Sequence, residues 1–179
     1  MDRQDRLDKF QEMLEAGLVK VCRMSDLEVE IMSSPDLDAA WNVMLEGYVA
    51  DAVENFNEYP FAALGFAAYL GMAVANRWDK DWILYRDAPY TSYYGDRGFD
   101  NMDDHIVADV LHLDGAEAAK LKGVVLNCTQ AVLDLLRYES IETDTEFGFY
   151  ALVRCYSAMF KTGASIELKR LGYTLEIAG

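Results

Sequence analysis

Apolar residues recur at Leu7, Phe10, Leu14, Leu18 and Val21. Steps of three and four are the period of an α-helix with one buried face. Gly17 falls inside this run and predicts a weak point at which the helix breaks. The next stretch, "SDLEVEIM" at 25–32, carries two conflicting signals. Ser25 followed by Glu28 has the form of a capping box, whereas Leu27, Val29 and Ile31 alternate as a strand does; a short helix is the expectation. In "SSPDLDAAW", Ser34 is predicted to cap a helix that begins with Pro35, and Asp36 and Asp38 complement its positive end. Trp41, Met44, Tyr48, Ala52 and Phe56 then share one stripe, and Glu46, Asp51, Glu54 and Glu58 lie off it. The pattern predicts a core face and a wet face.

Residues 61–75, "FAALGFAAYLGMAVA", contain no charge. A membrane span needs about 20 such residues, so this run predicts a central helix over about 61–78, apolar all round and buried on every side. Its small residues Gly65, Ala68, Gly71 and Ala75 would let neighbouring helices come close. Trp78, Trp82 and Tyr85 keep helical spacing and extend the helix to about Arg86. Further on, Leu121, Val125, Cys128, Val132 and Leu135 repeat at four and three, widened by Val124, Ala131 and Tyr138. They predict an amphipathic helix over 116–139, capped by Asp114. A last helix starts near Glu146, with Phe149, Val153, Tyr156 and Phe160 as its stripe and a bend at Gly163 before Leu168 and Leu171. The end, "YTLEIAG", alternates as a short extended tail would. Without repeats or linkers, the pattern predicts an all-α fold: one domain over 1–179, with six or seven helices around the central one.

Composition agrees with that picture and charge alters it. Only 3 prolines stand against 8 Met, 11 Tyr, 8 Phe and 3 Trp, a balance that favours long helices on a large core. Sixteen Lys and Arg face 31 Asp and Glu, for a formal net charge of -15. Such a field repels nucleic acid and anionic membrane surfaces, so neither is an expected partner. Between Arg23 and Arg77 no Lys, Arg or His occurs, yet nine acids do. That segment is either a solvated surface or a docking face for a basic protein. The charged start "MDRQDRLDKF" lacks a secretory signal, and Cys22, Cys128 and Cys155 are widely spaced. Both features predict a cytoplasmic protein with reduced thiols.

The two histidines of the chain stand in "DDHIVADVLH". On an ideal helix Asp109 lies about 40° from His105 and His112 about 20° to its other side, so the three share one narrow face. Two imidazoles and a carboxylate at such spacing can hold a metal ion. Ile106, Val107, Val110, Leu111 and Leu113 point the opposite way, however, which turns the trio towards water. A metal centre is therefore not expected, and no cofactor is.

The segment "RWDKDWILYRDAPYTSYYGDRGFD", 77–100, is rich in rings and arginines. Ala88 before Pro89 is biased away from helix, and the dozen residues that follow form a connection. Trp78, Trp82, Tyr85, Arg86, Tyr90, Tyr93, Tyr94, Arg97 and Phe99 are the candidate binding residues, since Tyr, Trp and Arg dominate contact hot spots. The plainer expectation is that these rings cap the end of the core, because a long connection needs apolar anchors to stay ordered.

No GxSxG, P-loop, GxGxxG or HExxH motif occurs, and no residue set names a reaction. The expectation is a non-enzymatic helical protein that works by binding another protein, through its acidic surface, its aromatic connection or both. A second expectation is a small-molecule binder or enzyme with a pocket under residues 78–99 and Arg86 or Arg97 on an anionic group. The third is a metal-binding bundle through His105, Asp109 and His112. A homo-oligomer fits any of these.

Overall fold

The computed structural model describes residues 2–32 and 34–174. Helix α1 (Arg3–Met24) starts at Asp2, whose carboxylate accepts the Asp5 amide hydrogen, and buries Leu7, Phe10, Leu14, Leu18 and Cys22. It passes through Gly17 without a break. A single glycine costs a helix about 1 kcal/mol, far less than this buried stripe supplies.

The helix expected over 25–32 does not form. Ser25 is used as the C-cap of α1, and the chain reverses at Asp26, whose φ is 62°. The Leu27 amide returns to the Cys22 carbonyl (2.8 Å) and the Asp26 amide to that of Arg23 (3.0 Å). This paired closure occupies the carbonyls at the helix end, so the Ser25–Glu28 capping signal goes unused. Val29, with 5 % exposure, is the buried anchor of the connection that follows.

Helix α2 (Pro35–Asn55) begins as its sequence predicts, with Ser34 Oγ accepting the Leu37 amide hydrogen at 3.1 Å. Trp41, Met44, Tyr48 and Ala52 are buried. Inside, Trp41 donates to Ser157 Oγ (2.8 Å) and Tyr48 to the Ala63 carbonyl (2.6 Å).

Helix α3 (Pro60–Tyr85) is the predicted central element, with an unbroken buried run from Ala63 to Asn76. One residue, Asp81, leaves helical geometry at φ -166° and ψ 88°. Its carboxylate then accepts the Leu84 amide hydrogen (3.2 Å) and restarts a last turn. After the connection come the short α4 (Met102–His105), continued as a wider π turn over Ile106–Val110, then α5 (Gly115–Tyr138) and α6 (Glu146–Arg170).

The closest helix contact joins α3 to α6. A Cβ added at Gly71 would stand 2.0 Å from the Phe160 carbonyl oxygen, and one at Gly163 would stand 1.9 Å from that of Ala68. Each helix therefore presses a bare backbone onto the other, as the small residues of 61–75 predict. Gly163 serves this approach rather than a bend, and α6 runs on to Arg170. Near the end of the seam the buried Glu167 carboxylate takes Nε and Nη2 of Arg170 (2.5 and 2.8 Å) and Nδ2 of Asn76 (2.8 Å). These bonds offset the cost of burying its charge.

Two stripe residues prove external. Tyr138 is 81 % exposed, and Phe149 turns outward against Tyr150. Tyr138 is the last residue of α5 and Phe149 lies in the first turn of α6, so each stands at a helix end. Among the described residues there are six α-helices, no strand, and no helix long and apolar enough to cross a membrane. Of the tail expected to be extended, 175–179 lie outside the described residues.

Candidate functional site

Two surfaces are the candidates for a site: the aromatic connection after α3 and the outer side of α2. The connection is tied down mainly through Asp51 of α2. Tyr90 donates to Asp51 Oδ2 at 2.9 Å, and the Tyr94 hydroxyl donates to the same oxygen. Around this pair, Tyr90 meets Tyr48 edge-on with ring centres 6.1 Å apart, and Phe99 packs on Tyr48 (6.1 Å) and Phe66 (5.1 Å). Tyr93 is buried beneath the Arg77 guanidinium, 4.3 Å from its ring centre, and Arg77 also lies over Tyr85 at 5.0 Å.

Trp78 donates to Asp36 Oδ2 (3.1 Å) and meets Tyr173 edge-on, and Trp82 packs half-buried against the core. Most of the predicted rings are thus engaged internally: they cap the core. Only Arg86, which lies beside Asp87, and Arg97 stand exposed. Burial and then the bond to Asp51 push the Tyr94 phenol up to about 12, and the same two causes raise Tyr90 further.

Asp51 corrects an expectation. It was placed on the wet face with Glu46 and Glu54, but on a wheel of about 100° per residue it lies only about 60° from Tyr48. That flank is where the connection crosses α2, so its carboxylate is an anchor and not part of an open acidic surface. Arg77 is the other anchor that residue spacing did not single out. It stands 16 residues before Tyr93 along the chain, so its place over that ring is a tertiary fact.

The outer side of α2 is different. Measured from Ala39 on the same wheel, Val43, Glu46, Ala50, Val53 and Glu54 all lie within about 60°. All are exposed, Val43 at 69 % and Val53 at 39 %. Glu46, Glu54 and the following Glu58 have no ion-pair partner among the described residues, and α2 contains no cation. The chain thus shows an exposed strip in which Val43, Ala50 and Val53 alternate with the carboxylates of Glu46 and Glu54.

The histidine face does not form as an ideal helix would place it. His105 Nδ1 and Asp109 Oδ2 pair at 2.9 Å. His112 lies beyond the last helical turn with φ 55°, because the π turn at 106–110 widens the coil and the Leu113 amide closes back on the Val107 carbonyl (2.9 Å). Among the described residues no three His, Cys, Asp or Glu side chains are grouped to hold a metal ion.

A contact invisible in the spacing joins α1 to α5. Cys22 Sγ and Cys128 Sγ lie 4.0 Å apart, both buried, although 106 residues separate them. Compared with known proteins, the chain matches no family model, no curated protein and no solved structure.

Proposed function

We propose that this protein works by binding another protein, and that the outer side of α2 receives a basic, amphipathic segment of that partner. The observation that supports this reading is the pairing, on one helix face, of exposed Val43 and Val53 with Glu46 and Glu54, to which no cation is ion-paired among the described residues. Apolar contact would supply the binding energy, and the carboxylates would select a positively charged partner and speed its approach. The aromatic connection takes no direct part: it braces α2 from the side through Asp51.

The test uses a synthetic helical peptide of alternating Lys and Leu faces, with a Glu/Leu peptide of the same pattern as control. Binding to the whole protein is followed by calorimetry. The expected result is binding of the basic peptide only, weakened at least tenfold in the double variant Glu46→Lys, Glu54→Lys. A second variant, Glu139→Lys with Asp144→Lys, makes the same change in net charge at a distance and should bind as the parent does. Equal weakening in both variants would mean that bulk charge, not this face, draws the peptide, and would end the proposal. Circular dichroism of each variant checks that the fold is kept.

A further inference from the structure

The sulfur atoms of Cys22 and Cys128 are the closest pair of reactive side chains that the function above does not use. They sit on different helices, and each is about 1 % exposed or less. We propose that Cys22 and Cys128 form a peroxide-responsive dithiol, oxidised to a disulfide that fastens the end of α1 to the middle of α5.

Three features carry this. The separation of 4.0 Å must fall to about 2.05 Å for a bond, a movement that a rotamer change and a small helix adjustment can supply. Cys22 lies in the last turns of α1, where the helix closes through Ser25, Asp26 and Leu27 into an irregular connection. Helix ends open locally at far lower cost than helix centres, so this is where a small oxidant gains entry. The two thiols also differ in place: Cys22 lies two residues from the end of α1, whereas Cys128 lies in the middle of α5. The end that opens exposes Cys22 first, so Cys22 is the attacking group and Cys128 the resolving one.

The chemistry balances with hydrogen peroxide as oxidant. The Cys22 thiolate attacks one peroxide oxygen, the O–O bond breaks, and with one proton taken up Cys22 sulfenic acid and water result. The Cys128 thiol then attacks the Cys22 sulfur, the S–O bond breaks, and hydroxide leaves as water with the Cys128 proton. Two electrons pass from the two sulfurs to one peroxide, which yields two waters. Cys155, buried on α6 and raised by that burial, has no thiol beside it among the described residues and is the internal control.

The experiment treats the folded full chain with dilute hydrogen peroxide, blocks free thiols, and maps peptides by mass. The expected product is one intramolecular link between residues 22 and 128, lighter by two hydrogens and reversed by a thiol reductant. The oxidised protein should melt about 5–10 °C higher, because the link restrains the unfolded chain. Cys155→Ser should change neither result, and Cys22→Ser should stop at unlinked Cys128. Because the mapping is done on the parent protein, a variant that fails to fold leaves the test intact. Recovery of both thiols unlinked under conditions that convert the urea-unfolded chain, or links only between separate molecules, would overturn the proposal.

Discussion

At the α3–α6 seam two backbones meet with no side chain between them, whereas across 90–99 the chain is kept in place by rings and hydroxyls. Both regions shield apolar surface, yet they tolerate change differently. At Gly71 and Gly163 the nearest atoms are main-chain atoms of the facing helix, which cannot swing aside. At the connection the nearest atoms belong to tyrosine and aspartate side chains, whose loss removes a bond without forcing two helices apart. Rigidity in this protein therefore follows from which atoms are in contact, not only from how deeply they are buried.

The sharpest way to break the comparison is Gly163→Ala. The added carbon falls on the Ala68 carbonyl, so we expect a loss of about 3 kcal/mol or more, read as a lower urea midpoint with unchanged slope. Asp51→Ala should cost less, about 2–3 kcal/mol, since it strips the acceptor from Tyr90 and Tyr94 together. Asp51→Asn, which keeps an acceptor oxygen, should recover much of that. If both Asp51 variants proved harmless, the connection would owe its order to ring packing alone.

A pH titration sharpens the same point. The folded Tyr94 phenol sits near 12, above the ordinary value of about 10. The folded state thus holds this proton more tightly than the unfolded chain does. Its stabilisation is fully present below about pH 10 and is lost as pH climbs through the folded value. Tyr90 is displaced in the same direction. Denaturant midpoints measured from pH 8 to 12 should fall over the upper half of that range, and Tyr94→Phe should make the fall shallower.

The smallest expected effect has the opposite sign. Nothing stands within 4 Å of a Cβ built at Gly17. Gly17→Ala should therefore stabilise the protein by about 0.5–1 kcal/mol. The same substitution at two glycines, read by one melting experiment, would separate a glycine kept for close contact from one that only weakens a helix.

Much of the fold was legible from residue order because it rests on local rules. The buried faces of α1, α2 and α5 follow from periodicity, the start of α2 from Ser34 and Pro35, and the central place of α3 from an uncharged run. Errors gathered where a local signal competed with chain closure. At Ser25 a start signal lost to the end of α1, and at His112 ideal spacing lost to a π turn. The candidate rings at 78–99 and their capping of the core were both legible, but the shared acceptor Asp51 was not, since spacing cannot say what lies beneath a ring.

What the sequence determined by itself is the helical class, the wet and dry faces, and a cation-free stretch from 24 to 76. These depend on neighbours within a turn or two, and on charge counts. Tertiary structure alone decided that Asp51 anchors two tyrosines, that Arg77 lies over Tyr93, that Gly71 meets the backbone of Phe160 and Gly163 that of Ala68, and that Cys22 faces Cys128. The physical reason is common to all four: each joins residues far apart along the chain, and helical periodicity gives which way a side chain points but not which helix it meets.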